Sequence, residues 1–581
     1  MFEALHTDVA IIGGGPAGTT LGTILKKYMP ELRVTILERD VFPRDHIGES
    51  QLPQIMPVLH EMGVWDKVEA ANFPIKIGAT YRWGKTDELW DFEFLNNGKF
   101  DTAPRPAKYA GQRLETAFQV DRAIYDKILL DHAAEMGCEV REATQVTKVM
   151  KEGDRVEGLK LKSNGVESTL TAKYYIDASG HVGILRREMG VAADSPTTLQ
   201  NIAIWDYWQN ADWAVNIGVG GTRIQIMSLG YGWMWFIPLG PTRTSLGLVI
   251  PAAYYKEQKK RPQDLYNEAV FGDKIISKLI RNATSENKLT TTKDWSFLAD
   301  RLVGENWFLA GESAGFADPI LSAGMTLAHR GARDIAYTII ALEKGEHDPE
   351  WLKHRYDESH RRHIGQHIRF ADFWYTNNGL FSDLKDFTKV IAGDAGLEMS
   401  SDKAWQWFGT GGFIDPDSSA VDIGTYALFA TKNLTASFSN SKIEYNIFGK
   451  SHFSLALEGA ELRAGAQLEN GNIYRHDCYL RDGKWLPLIG ACDWLVKQLQ
   501  ATRTARQIIE SADRYRRSGL MSKEASLAFP RYVIEALEAM TLDGWVVAEK
   551  RDGEPGWPEF EIDYNRFIHP NRDVAKLAVQ D

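Results

Sequence analysis

Three short stretches carry residue types that could do chemistry together. Lys76 stands in Asn72-Phe-Pro-Ile-Lys-Ile-Gly-Ala-Thr80, a run with strand character. On a strand, Ile75, Ile77 and Ala79 share one face, so Lys76 points the other way, beside Gly78 and Thr80. A lysine there can donate hydrogen bonds as an ammonium or, once buried, shed its proton and act as an amine. The plain alternative is a solvated lysine on an edge strand. The second stretch, Gly232-Trp-Met-Trp-Phe-Ile-Pro-Leu-Gly240, sets Trp233 and Trp235 two residues apart. Both rings leave the same face of a strand, as sheet core or as the wall of a cavity. The third, Phe316-Ala-Asp-Pro-Ile-Leu-Ser-Ala-Gly324, reads as a turn opening a helix at Ser322, Ala323 and Gly324. Backbone N–H groups at such a start can hold an anion, or the serine is an ordinary cap.

Only a large fold can bring these stretches together. The chain has 581 residues, 44% apolar and 25% charged, as in ordinary globular proteins. Residues 7–12 read as a buried strand, a helix follows from about Pro16 to Lys27, and residues 33–38 form the next strand. Between strand and helix, Gly13, Gly15 and Gly18 make a GxGxxG turn, and Glu38 closes the second strand. The glycines admit a pyrophosphate to the helix N-terminus, and a carboxylate at Glu38 can accept from a ribose 2′-hydroxyl. A dinucleotide site is the expectation.

Further on, a helix capped by Asp121 runs to about Met136, and short strands occupy 138–177. Residues 200–250 are strand-rich and Trp-rich, a helical segment reaches about 282, and a strand-turn-helix unit reaches about 344. Beyond 350 come helices with aromatic clusters, short strands near 434–480, and helices again. The expected domains are 1–350, with β-rich regions at about 75–120 and 195–300, and a mainly helical 351–581, the boundary lying within 350–385.

The formal charge of −11, with no basic run, argues against nucleic acid as a partner. Cys138, Cys478 and Cys492 form neither a ligand pattern nor a disulfide framework. The N-terminus lacks a basic n-region, and no apolar run approaches the ~20 residues of a membrane span. A soluble cytoplasmic protein is the expectation. His360, His363 and His367 share a helical face at a spacing a metal could use. Arg355, Arg361, Arg362 and Arg369 crowd that face with positive charge, so it is read as a solvated basic face and no metal is expected. WDFEFL at 90–95, and Trp205, Tyr207 and Trp208, could line a cavity or fill a core.

Tyr175-Ile-Asp-Ala-Ser-Gly180 and Phe308-Leu-Ala-Gly-Glu-Ser-Ala-Gly-Phe-Ala-Asp-Pro319 resemble segments of the para-hydroxybenzoate-hydroxylase-type FAD fold. That resemblance implies an α/β, Rossmann-like FAD-binding fold with a mixed-sheet substrate region. It also implies that Gly311 and Glu312 approach the ribityl chain, where the family usually carries Asp. Asp318 is the alternative carboxylate, or only shapes the turn before Pro319. Arg122, in QVDRAIYD, matches a FAD-contacting arginine, the alternative being a surface helix residue.

Trp233-x-Trp235-x-Ile237-Pro238 and Phe316-x-x-Pro319-x-x-Ser322-x-Gly324 resemble the WxWxIP and FxxPxxSxG motifs of the flavin-dependent halogenases. Lys76 stands at the position of their catalytic lysine. The resemblance implies a two-component enzyme with an additional C-terminal domain, using FADH2 from a separate flavin reductase. Chloride or bromide near Ser322, Ala323 and Gly324 would be oxidised by the flavin C4a-hydroperoxide to hypohalous acid. That oxidant would pass Trp233 and Trp235 and reach the substrate through Lys76. Tryptophan halogenases carry a glutamate before the loop serine; here Leu321 stands there, which resembles the branch acting on phenolic, pyrrolic or carrier-tethered substrates. The rivals are a single-component FAD hydroxylase and a non-halogenating flavin protein that docks a carrier or partner.

Overall fold

The computed structural model describes residues 4–83, 88–94, 104–109, 113, 115–195, 200–376, 445–501, 504–559 and 568–571, with isolated residues between 414 and 432. Two runs of four buried residues, β1 (Val9–Ile12) and β2 (Val34–Leu37), flank α1 (Pro16–Tyr28). Next come β3 (Ile75–Arg82), β4 (Leu89–Glu93) and α2 (Arg122–Glu135), whose first turn Asp121 caps by accepting from the Ala123 N–H. β5 (Glu139–Arg141) and β6 (Tyr174–Asp177) follow. The strand-rich middle contains β7 (Gln200–Gln209), β8 (Gly221–Leu229), β9 (Gly232–Pro238) and β10 (Arg243–Pro251). Helices α3 (Pro262–Gly272) and α4 (Lys274–Leu279) lead to β11 (Trp307–Leu309), α5 (Ala323–Lys344) and α6 (Pro349–Thr376).

Strands β11, β6, β1, β2 and β5 form a parallel sheet in that order. This is the expected Rossmann-like layer, and its order puts the α1 turn at the carboxyl ends of β1 and β6, where dinucleotides bind. The second sheet runs β7-β10-β9-β8-β3-β4; β8 and β3 pair parallel and the other neighbours antiparallel. Its two faces differ. Met227, Met234, Phe236, Leu246 and Leu248 pack with Leu265, Val270, Ile276 and Leu279 of α3 and α4. Trp233 and Trp235 therefore leave the opposite face.

The protein divides into two compact units, residues 1–398 with 565–581, and residues 399–564. The division falls past the 350–385 boundary expected from sequence, and α6 packs on α5 within the first unit. His360 stacks on Tyr356 and lies against Gly331 of α5, where a Cβ would come 2.5 Å from the imidazole. This corrects the solvated basic face. His360 and His367 are buried, and burial pulls their rings down to about 3 and about 4, while Arg355 pairs with Asp334. Histidines and arginines on a helix suggest water; here helix-on-helix packing outweighs that tendency. The second unit holds a meander of β12 (Glu461–Glu469), β13 (Asn472–Arg481) and β14 (Lys484–Pro487). With it come α7 (Gly490–Ala501), α8 (Ala505–Arg516) and α9 (Lys523–Leu542). The last described strand, β15 (Ile568–Pro570), returns to the first unit and pairs with β4. No described helix is long and apolar enough to cross a membrane.

Candidate functional site

Glycines fix the start of α1. Gly13 has φ +111°, and a Cβ there would lie 2.2 Å from the Ala178 carbonyl oxygen of the DASG turn. A Cβ on Gly18 would come 2.0 Å from the Gly13 carbonyl oxygen, so α1 sits directly on the strand end. Gly15 is different: among the described residues other than its chain neighbours, only Arg44 Nη2, at 3.8 Å, comes within 4 Å of its Cβ position. Gly15 caps α1 without a side-chain hydrogen bond, and the first turn holds no carboxylate. Its N–H groups thus have room for a diphosphate to approach. Glu38 is buried beside them, one oxygen accepting from the Gly14 N–H at 2.8 Å and the other from the Asp40 N–H at 2.9 Å. Each oxygen keeps a lone pair for a ribose hydroxyl.

Gly311 has φ +60°, and its Cβ position lies 3.2 Å from the Ala17 methyl, so this turn closes over the α1 start. Glu312, half-buried, reaches toward the Gly180 turn, 3.8 Å from that glycine's Cβ position. Asp318 Oδ1 accepts from the Ile320 N–H at 2.8 Å and from the Tyr375 hydroxyl at 3.2 Å, so this carboxylate shapes the turn. Arg122 is no surface residue. It is buried, grips both Asp126 oxygens at 2.7 and 2.9 Å, and donates to the Ile47 and Gly48 carbonyls. An open diphosphate cradle beside a buried carboxylate fits FAD.

Lys76 is neither solvated nor on an edge. β3 lies between β8 and β4, and the side chain is 2% exposed. Register slips by one residue, with Thr222 opposite Lys76 but Arg223 opposite Gly78, so a bulge at Ile77 breaks the alternation read from sequence. Lys76 Nζ donates to Ser50 Oγ at 2.8 Å, to the Gln51 carbonyl at 3.0 Å and to Ser322 Oγ at 3.4 Å. The Phe94 ring lies 5.5 Å away. Burial lowers the ammonium from its ordinary 10.5 to about 7, and the three acceptors pull the other way. Ser322 sits at φ +57° and caps the 22-residue α5 with no side-chain hydrogen bond to its first turn. The N–H groups at Ala323 and Gly324 thus stand at a helix start beside Lys76. Leu321 is buried and brings no carboxylate.

Trp233 and Trp235 are 2% and 5% exposed, their ring centroids 6.0 Å apart and tilted by 54°. Gly247, opposite Trp235 on β10, seats that indole: a Cβ there would meet the ring at 2.1 Å. Trp205 also pairs with Gly247 and shares this face, as does Tyr207 opposite Ser245. Trp208 belongs to the other face, donating to the Tyr266 hydroxyl of α3 at 2.9 Å. In WDFEFL, Phe92 joins Tyr81 and Trp374 in an aromatic cluster, while Asp91 and Glu93 are buried against Arg223. Phe94 belongs to the WDFEFL stretch weighed as a cavity lining, whereas sequence reasoning missed Ser50, Gln51, Gly247 and Tyr375. A lone glycine in the apolar run Leu246–Ile250 was a signal for Gly247; the others carry none.

The chain belongs to the family with this FAD-binding domain, whose model matches residues 6–371. Within it, the chain belongs with the flavin-dependent halogenases. It is 30% identical over 388 residues to a 1H-pyrrole-2-carbonyl peptidyl-carrier-protein chlorinase of Pseudomonas fluorescens, covering 64% of this chain and 85% of that protein. It is 31% identical over 363 residues to a tryptophan 2-halogenase of Chondromyces crocatus, covering 62% of this chain and 66% of that protein. The crystal structure of the flavin-dependent halogenase CmlS, 23% identical, superposes with a TM-score of 0.69 and covers 97% of this chain and 99% of that one. That likeness extends the shared fold through the second unit.

Proposed function

We propose that the protein is a two-component halogenase that places chloride or bromide on an electron-rich organic substrate through Lys76. The observation that carries this reading is the meeting of Lys76 with Ser322, at 3.4 Å, at an uncapped helix start. Reduced FAD, supplied by a separate reductase, would provide with O2 the two-electron oxidation of halide. The net reaction is FADH2, O2, halide, substrate C–H and one proton giving FAD, the carbon–halogen bond and two waters.

The chain's own residues divide the work. The α1 start would hold the diphosphate and Glu38 a ribose, Arg122 fixes the 47–48 loop, and Gly311 and Glu312 would border the ribityl chain. Backbone N–H groups at Ala323 and Gly324 would hold the halide, since the Ser322 N–H donates to the Pro319 carbonyl at 3.0 Å. Trp233 and Trp235 separate oxidant production from the substrate. Lys76, poised near neutrality, can donate a hydrogen bond to hypohalous acid or carry the halogen as a neutral amine. The longest of its three hydrogen bonds, to Ser322, is the one exchanged most cheaply.

Leu321 supports an activated substrate, phenolic, pyrrolic or carrier-tethered, since no carboxylate stands there to draw off a ring proton. The pyrrolyl-carrier chlorinase among the relatives supports the same class. The test supplies FADH2, halide and a panel of such substrates and reads the products by mass spectrometry. Halogenated product without NAD(P)H consumption by the protein itself is expected; hydroxylated product with direct NAD(P)H consumption would favour the single-component rival.

A further inference from the structure

Each of the two tryptophans ends on a hydroxyl supplied by another element. Trp233 Nε1–H donates at 2.8 Å to the Tyr375 hydroxyl on the last turn of α6. That hydroxyl donates in turn to Asp318 Oδ1 at 3.2 Å, and Asn201 Nδ2 approaches it at 3.5 Å. Asp318 precedes Pro319 in the loop that ends at Ser322. Trp235 Nε1–H donates at 3.0 Å to Ser245 Oγ on β10. The Ser245 and Tyr207 side chains lie beside the buried Glu49 carboxyl. Glu49 immediately precedes Ser50 and Gln51, which accept from Lys76.

Trp233 therefore runs through the Tyr375 hydroxyl to the buried Asp318 carboxyl in the halide loop, while Trp235 ends on the Ser245 hydroxyl, beside Glu49 of the Lys76 loop. Burial raises both Glu49 and Asp318 to about 7. A carboxyl accepts from a hydroxyl whether or not it is protonated, so the arrangement holds in either form. A ring held only by packing can slide or tilt between rotamers; a donor fixed at its Nε1 removes that freedom.

We infer that Tyr375 and Ser245 are positioning residues: Tyr375 ties Trp233 to the halide loop through Asp318, and Ser245 fixes the Trp235 ring on β10. The wall and the halide loop thus keep one register. This inference rests on the proposed function for its purpose, though not for its geometry.

The test uses full-length Tyr375→Phe and Ser245→Ala, each with two readouts. Ultraviolet resonance Raman difference spectra report indole hydrogen bonding directly; each variant is expected to lose one hydrogen-bonded indole signal relative to wild type. In the reaction, the ratio of halogenated product to FADH2 oxidised is expected to fall roughly tenfold, as small misplacements at a reacting centre do. The KM for the organic substrate is expected to change by less than about twofold. The anchors are independent, so either variant alone decides if the other fails to fold. Unchanged Raman spectra would overturn the anchors whatever the activity. Full coupling in both variants of an enzyme that halogenates would overturn their positioning role. A wild type that does not halogenate would sink the proposed function, while the Raman arm still judges the anchors.

Discussion

Replacing Lys76 by methionine separates the cost of keeping an ammonium in this site from its use. The side chain is 2% exposed, and burial takes its proton affinity from 10.5 down to about 7. At about 1.4 kcal/mol for each tenfold, that drop corresponds to about 5 kcal/mol of destabilisation when the lysine is charged. Methionine removes that cost but leaves Ser50, Gln51 and Ser322 without their donor, which costs about 1–2 kcal/mol. The unfolded lysine holds its proton up to 10.5, whereas the folded one releases it above about 7. Between those values the unfolded state binds more protons, so wild-type stability from this group rises with pH; below 7 the cost is present in full. Lys76→Met is therefore expected to be more stable than wild type by about 3 kcal/mol at pH 6, with the advantage shrinking through pH 8 and 9. Near pH 10.5 the sign reverses, since the neutral amine keeps its hydrogen bonds. Urea denaturation of both proteins at pH 6, 8 and 10, at constant ionic strength, reads the difference. A difference that stays flat with pH would refute a depressed lysine and return Lys76 to a solvated or fully compensated state.

Other perturbations have equally definite outcomes. Gly15→Ala meets nothing closer than Arg44, so the melting temperature of FAD-free protein should hold while FAD affinity, read by flavin fluorescence titration, falls at least roughly tenfold. Glu38→Gln should weaken FAD by about 1–2 kcal/mol in the same titration, because a neutral amide is a poorer acceptor for a ribose hydroxyl. Gly247→Ala forces a methyl into the Trp235 ring, and should lower stability by about 1–3 kcal/mol and cut halogenation together; a silent substitution would show that the indole does not rest on Gly247.

Local chemistry was legible in the sequence where it was written in contiguous residues. The GxGxxG turn with Glu38, the Trp233–Trp235 pair and the Ser322 helix start all lie on elements of the expected kind. Partners that come from elsewhere in the chain were not legible. Ser50 and Gln51 reach Lys76 from a loop with no motif, and Tyr375 reaches Trp233 across 142 positions. The bulge at Ile77 was invisible because all residues from Ile75 to Tyr81 are buried, so no polar alternation marks the slip. The α6 histidines misled for a related reason: a titratable side chain signals water only until another helix covers it. Asp318 showed in sequence only as a carboxylate before Pro319; that its Oδ1 serves both its own turn and Tyr375 was not legible there.

The central claim is that Lys76 receives the oxidant made at the Ser322 helix start and hands its halogen to the substrate. The most direct measurement compares wild type and Lys76→Ala with reductase-supplied FADH2, O2, chloride or bromide, and the phenol, pyrrole and carrier-tethered panel, reading products by halogen isotope pattern. Wild type should yield halogenated product, and Lys76→Ala none while still oxidising FADH2 at a similar rate. Robust halogenation by Lys76→Ala, or oxygenated product without halogen from wild type, would contradict it.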